Sequence, residues 1–174
     1  MNFTAKLEYD GAEVITSPDP TLNIKYISVF LAGGITKCDD WQADVIKELE
    51  FDTVSIFNPR RKEFDITNKS DSYRQIEWEF DRLEKADIFS MYFCNSESVQ
   101  PICMYELGRN IARMQCKYPN DWMDRIIISV EEGYSRRLDV IAQVNLAAPK
   151  LFVETSATPQ RHADYIRNCV RKLS

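Results

Sequence analysis

The apolar residues of this chain fall into blocks that switch between a continuous or alternating pattern and a helical one. Ile24 to Ala32 is nearly unbroken in apolar and β-branched residues and stops at Gly33-Gly34, as expected of a strand covered on both faces. Asp39 or Asp40 can cap a helix running to about Leu49, in which Trp41, Val45, Ile46 and Leu49 share a face. Thr53 to Phe57 reads as the next strand, and a polar loop from Asn58 to Ser72 follows. A helix from about Asp71 to Lys85 then delivers a strand at Asp87 to Phe93. Pro101 suits the first turn of another helix, which reaches roughly Gln115. Arg125 to Val130 supplies a further buried strand. Arg137 to Leu146 reads as a short helix, Leu151 to Val153 as a short last strand, and Pro159 to Lys172 as a terminal amphipathic helix.

Strands alternating with helices predict an α/β fold: a parallel sheet with helices on both faces, flavodoxin- or Rossmann-like, in a single domain over residues 24–174. Residues 1–23 read as an N-terminal β-hairpin extension. Ala5 to Tyr9 and Ala12 to Thr16 flank the turn dipeptide Asp10-Gly11, and Ser17-Pro18-Asp19-Pro20 ends the segment.

In an open parallel sheet, ligands bind beyond the carboxyl ends of the strands, which selects Gly33-Gly34, Asn58-Pro59-Arg60-Arg61 and the loop from Cys94 to Gln100. Two acidic residues on neighbouring helices stand out. Cys103, Leu107, Ile111 and Met114 mark the packed side of one helix, and at about 100° per residue Glu106 falls on the edge of that side. Near a helix N-terminus its carboxylate is expected to be ionised and available as a nucleophile. Glu79 lies between Ile76 and Leu83, inside an apolar stripe of Ile76, Phe80 and Leu83, and suits an acid or base. Stripping a carboxylate of water costs several kcal/mol, in rough terms, unless something compensates it. Two such residues on consecutive elements therefore point to a site.

Composition narrows the chemistry. At 174 residues, 44% apolar and 28% charged, the chain can bury a core without disulfides or metals, and no apolar run is long enough to span a bilayer. The N-terminus lacks the order of a secretory signal, which predicts a cytosolic protein. Five cysteines without a Cys-x-x-Cys pair and a single histidine, His162, give no basis for a metal site. The net charge of −5 argues against a nucleic-acid duplex as partner, whereas Arg60-Arg61 could meet one phosphate or carboxylate, or form an ordinary surface pair. Trp78 could stack on a planar ring or simply pack. Gly33-Gly34 lacks the Gly-x-Gly-x-x-Gly spacing of a dinucleotide site, and no P-loop motif exists.

Taken in order, Phe30-Leu31-Ala32-Gly33-Gly34-Ile35, Trp41-Gln42, Asn58-Pro59-Arg60-Arg61, Gln75-Ile76-Glu77-Trp78-Glu79, Leu83-Glu84-Lys85-Ala86-Asp87, Pro101-Ile102 and Glu106-Leu107-Gly108 resemble the nucleoside 2-deoxyribosyltransferase-like proteins, over roughly residues 27 to 145. The resemblance implies that Glu106 is the nucleophile that attacks the anomeric carbon of a 2′-deoxynucleoside, forming a deoxyribosyl ester from which a second base or water collects the sugar. It implies that Glu79, where an aspartate is more usual, holds the sugar hydroxyls or passes a proton to the departing base. Phe30, Gly33, Gly34, Trp41, Asn58, Arg60, Arg61, Trp78 and Gln100 are the expected substrate-binding residues. No cofactor or metal is implied; the partners are a nucleoside or nucleotide, a free base and further copies of the chain, as a homodimer or higher oligomer. Two positions differ from characterised transferases. Phe30 stands where a tyrosine is often found, and the loop before Glu106 offers Ser98, Val99 and Gln100 in place of an aspartate. Hydrolysis of deoxynucleoside monophosphates, as in related enzymes, and nucleotide binding without catalysis are the alternatives.

Overall fold

The computed structural model describes residues 11–62 and 67–174. Five strands form one parallel sheet: β1 (Glu13–Thr16), β2 (Ser28–Gly33), β3 (Ser55–Asn58), β4 (Ile88–Phe93) and β5 (Ile126–Val130), in the spatial order β1-β3-β2-β4-β5. The helices are α1 (Trp41–Glu48), α2 (Lys69–Lys85), α3 (Pro101–Lys117), α4 (Arg137–Ala147) and α5 (Pro159–Leu173), with a 3-10 turn at Trp122–Arg125. This is a Rossmann-like arrangement, and it follows from the run of side chains. All six residues of β4 are buried, so its alternate side chains must be apolar on both faces.

Two cores result. Phe30, Phe89, Met91 and Ile128 point to the face covered by α2, α3 and α4. Val29, Leu31, Ile88 and Tyr92 point to the face covered by α1 and α5. The start of the sheet is pinned where Asp87 Oδ2 accepts from the backbone N–H and the hydroxyl of Ser28, at 2.9 and 2.8 Å. Three helix starts use short polar caps: Asp40 accepts from the Ala43 N–H, Asn68 from those of Ser70 and Asp71, and Thr158 from that of Arg161.

Three expectations change. Glu13–Thr16, expected as one arm of a peripheral hairpin, is the edge strand of the main sheet, parallel to β3 with Val14 beside Ile56. Burial explains the preference: Ile15 inserts into the core, while Gly11, at φ +64°, lets the chain pass so close to Glu50 that a Cβ would lie 2.6 Å from its carbonyl oxygen. The other expected arm, Ala5 to Tyr9, lies outside the described residues. The expected strand at Leu151 to Val153 is reduced to one bridge between Ser129 and Glu154, after which the Ser156 N–H turns back to Glu154 Oε1 at 2.7 Å. On α2 the buried side is Gln75, Trp78, Arg82 and Leu83, whereas Ile76 and Phe80 are more than half exposed. Trp78 and Arg82 take burial there with an inward acceptor in common: Trp78 Nε1 and Arg82 Nη2 both donate to the Asp19 carbonyl.

Candidate active site

The connections from β2 and β4, neighbours in the sheet, leave in opposite directions, β2 through α1 to β3 and β4 through α3 to β5. A crevice opens between their carboxyl ends, as this topology requires. Its inner part is a cavity of about 210 Å³ walled by Phe30, Gly33 and Gly34 from β2 and the turn after it, Ser98 and Gln100 from the loop after β4, and Glu79 and Glu106 from α2 and α3. A larger cavity of about 560 Å³, lined by Arg61, Ile76, Phe80, Tyr105 and Arg109, shares the same two glutamates. The acid pair therefore stands at the boundary between a small cavity and a wide apolar one.

Close packing makes the inner wall. A Cβ on Gly34 would lie 2.5 Å from Cys38 Sγ and 2.6 Å from Gln100 Oε1, and one on Gly33 would lie 2.3 Å from the Tyr92 carbonyl oxygen. The glycine pair thus lets the turn after β2 press against the loop after β4. Trp41 fastens that turn from the other side, its Nε1 donating to the Gly34 carbonyl at 2.9 Å while its ring stacks on Tyr92.

Glu106 sits in the second turn of α3, beyond the reach of the free amides at the helix start. Burial raises its pKa to about 8, the charge of Glu79 pushes in the same direction, and Arg109 opposes both. Burial also raises the pKa of Glu79, offset in part by a hydrogen bond from Gln75 Nε2 to its Oε1 at 2.8 Å. The expectation of an ionised Glu106 favoured by the helix dipole is corrected accordingly: desolvation and the neighbouring carboxylate outweigh the dipole. Burial thus favours the protonated form of both carboxyl groups, and the charge of one opposes ionisation of the other.

Two glutamines set this geometry. Gln75 is buried, accepts from the Ser17 hydroxyl at 2.6 Å and donates to the Pro59 carbonyl and to Glu79, both at 2.8 Å. It ties the segment after β1, the loop after β3 and the acid to one amide. Sequence reasoning passed over Gln75 as a site residue, although its place four residues before Glu79 on a helix was the available signal. Gln100 occupies the residue before α3 at φ 49°, and its Nε2 donates to the Cys94 carbonyl at 2.7 Å. Its Oε1 is buried with no hydrogen-bond partner among the described residues.

Of the residues expected at a site, Glu79, Glu106, Phe30, Gly33, Gly34 and Gln100 meet in the inner cavity, and Arg61 lines the outer one. Trp41 and Trp78 are buried in the two cores and line neither. Asn58 and Arg60 open onto a different surface depression, beside Asp40 and Lys62. The Arg60 guanidinium donates to the Ile35 and Cys38 carbonyls at 2.8 and 3.1 Å, so it shapes the turn after β2 rather than facing the acids. Thr36, Pro59 and Ser98, on the loops at the strand ends, also line the cavities, and the fold adds Ile102, Cys103 and Tyr105 from the start of α3. Among the described residues no cluster of histidine, cysteine and carboxylate side chains could hold a metal ion, and no helix is long and apolar enough to cross a membrane.

A family model described as "Nucleoside 2-deoxyribosyltransferase like" matches residues 26–118, more than half of the chain. The match runs from before β2 to the end of α3 and so contains both glutamates and both glutamines. Comparison with curated proteins finds no match.

Proposed function

Because the chain belongs to the nucleoside 2-deoxyribosyltransferase-like family, we propose that it is a cytosolic enzyme of nucleotide salvage that cleaves the N-glycosidic bond of a 2′-deoxynucleoside and transfers the sugar to another base. The observation that carries this reading is the pair Glu79 and Glu106 at the shared wall of the two cavities. Two carboxyl groups holding one proton can supply a nucleophile and an acid at once, as in a retaining glycosidase.

The reacting form is the one in which Glu106 has given up its proton and Glu79 carries one; its Glu106 carboxylate attacks the anomeric carbon while the bond from that carbon to the base nitrogen breaks. The proton on Glu79 passes to the departing base, leaving a deoxyribosyl ester on Glu106 and an ionised Glu79. An incoming base reverses the sequence: its nitrogen attacks the same carbon, its proton returns to Glu79 and Glu106 is released. Gln75 occupies one oxygen of Glu79, which leaves the other for the proton. No cofactor or metal takes part in these steps.

Five large apolar side chains on α2 and α3, Tyr73, Ile76, Phe80, Ile102 and Tyr105, are each more than half exposed. Four of them line the outer cavity. In the proposed assembly a second copy of the chain covers this rim, which would exclude water from the acids.

Glu106→Ala is expected to abolish base exchange and the covalent sugar adduct seen by mass spectrometry, with the circular dichroism spectrum unchanged. Exchange at the parent rate would remove Glu106 from its role. A hydrolase of deoxynucleoside monophosphates would release free sugar phosphate whether or not a base is supplied, and Arg61 at the outer cavity is the residue that keeps this reading open. A binding module would hold nucleoside without turnover.

A further inference from the structure

We infer that Cys38 and Cys94 are a peroxide-reactive thiol pair whose reversible disulfide draws the turn after β2 onto the loop after β4 and slows turnover in the crevice between them. The cross-link stands on geometry alone, and only its effect on base exchange rests on the reaction proposed above.

The two cysteines come from separate segments that the sheet sets side by side. Cys38 lies in the turn after β2, two residues before the cap of α1, and Cys94 directly follows β4, the neighbour of β2. Their thiols are hydrogen-bonded to each other, and the Ser96 hydroxyl meets both, at 3.3 Å from Cys38 Sγ. Glycine at position 34 makes room for this meeting, since a Cβ there would lie 2.5 Å from Cys38 Sγ. Cys103, the third thiol of the region, interacts with the other two through charge.

Access sets the order of events. Cys38 is half-buried and open to a small oxidant, whereas Cys94 is 3% exposed. Burial raises the pKa of Cys94, Cys38 adds to the rise and Ser96 opposes it. Cys94 is therefore inert toward the oxidant and reacts second. The Cys38 thiolate attacks one oxygen of hydrogen peroxide, the O–O bond breaks and hydroxide leaves, giving a sulfenic acid at Cys38. That product is neutral, so the charge that had opposed ionisation of Cys94 is gone. The Cys94 thiolate attacks the Cys38 sulfur, the S–S bond forms and the S–O bond breaks as a second hydroxide leaves. With the two thiol protons, the sum is one disulfide and two waters, two electrons having passed from sulfur to peroxide oxygen.

Bonded sulfurs lie about 2.05 Å apart, well inside the contact distance of two thiols. Closing the bond pulls the turn that carries Gly34, Ile35 and Thr36 toward the loop that carries Ser98 and Gln100, which are two sides of the inner cavity. It also moves Gln100, whose Nε2 lies 3.5 Å from Cys94 Sγ and whose amide packs against Gly34. Gln100 leads into α3, the helix that carries Glu106. In the reduced protein the exposed pair Lys37 and Glu97, at 3.1 Å, joins the same two segments only weakly.

The full chain is treated with hydrogen peroxide, and its mass, tryptic map, amide hydrogen exchange and base exchange are read before and after dithiothreitol. The expected product has lost two hydrogens and joins peptide 38–47 to peptide 86–109 through Cys94, which fragment ions distinguish from Cys103 in the same peptide. Amide exchange over residues 34–38 and 94–100 should slow, and base exchange should fall roughly tenfold, since small displacements at a reacting centre are costly. Dithiothreitol should reverse both. Cys94→Ser should hold Cys38 as a sulfenic acid that dimedone labels, and Cys38→Ser should form no cross-link and keep its own untreated rate under peroxide. No cross-link, a bond from Cys94 to Cys103, or a cross-link that leaves base exchange at the untreated rate overturns the inference. The cross-link arm uses the unaltered protein and stands even if Cys94→Ser does not fold. A protein without base exchange before treatment sinks the proposed reaction, and the cross-link with its slowed amides then decides the thiol pair by itself.

Discussion

Gln75 Nε2 donates to Glu79 Oε1 at 2.8 Å, one turn apart on α2, and the same nitrogen donates to the Pro59 carbonyl. A single amide thereby couples the position of an acid in the crevice to the loop after β3, and through Ser17 to the segment after the edge strand.

Gln75→Leu should make this coupling visible. The hydrogen bond lowers the pKa of Glu79 against the rise caused by burial, so its removal moves the apparent pKa values of the acid pair upward. The acidic limb of the base-exchange pH profile is expected to shift to higher pH. Leaving the Ser17 hydroxyl and the Pro59 carbonyl without their partner should also cost about 1–3 kcal/mol in denaturant unfolding. An unmoved profile would reduce Gln75 to a packing role.

Glu106→Gln should stabilise the protein at alkaline pH. The folded pKa of Glu106 lies near 8, above its ordinary value of 4.5, so its contribution to stability is fully present below about pH 4.5 and is lost as pH rises through 8. A glutamine has no such loss. Urea titrations should therefore show little difference between variant and parent at pH 4.5 and a growing advantage of the variant up to pH 9, on the order of a few kcal/mol. A pH-independent difference would contradict the desolvated environment assigned to this carboxyl group.

His162 gives the opposite slope. Its ring is fully buried, with Nε2 2.5 Å from the Ser90 hydroxyl and Nδ1 2.7 Å from that of Ser129, and burial lowers its pKa from 6.5 to about 3. The stability it contributes is present above pH 6.5 and is lost as pH falls toward 3. Nuclear magnetic resonance should find a neutral imidazole in the folded protein at pH 5. A ring titrating near 6.5 in the folded state would show that α5 does not seal it against the sheet.

Phe80→Asp tests the apolar rim. Its ring is 56% exposed beside the acid pair, with the Arg109 guanidinium 4.4 Å from the ring centre. A charge placed there should convert an oligomeric parent to monomer in sedimentation velocity and lower base exchange, while the unfolding midpoint measured on the separated monomer stays close to the parent's. A parent that already sediments as a monomer would remove the second copy from the proposed assembly.

Much of the layered fold could be read from the chain because β2, β4 and β5 are buried on both faces, and an unbroken apolar run is what such a strand requires. The edges were less legible. Glu13–Thr16 is too short to announce its partner, and its pairing with β3 depends on Ile15 finding the core, a contact more than forty residues distant in sequence from the strand it joins. Trp41 and Trp78 illustrate the limit for the site. Each lies close in sequence to candidate residues, yet each hydrogen-bonds a carbonyl inward, to Gly34 and to Asp19, and packs away from the crevice.

The sequence by itself determined the alternation of strands and helices, the glycine pair after β2 and the two carboxyl groups set among apolar neighbours, since periodicity and local residue chemistry are properties of the chain alone. The tertiary structure alone decided that Glu79 and Glu106 share a wall, that Gln75 and Gln100 spend their amide nitrogens on distant carbonyls, and that Arg60 turns away while Arg61 does not. Those outcomes depend on which strands lie side by side and how much water is left between them. Desolvation and hydrogen bonding act through space, and the order of residues along the chain carries no measure of either.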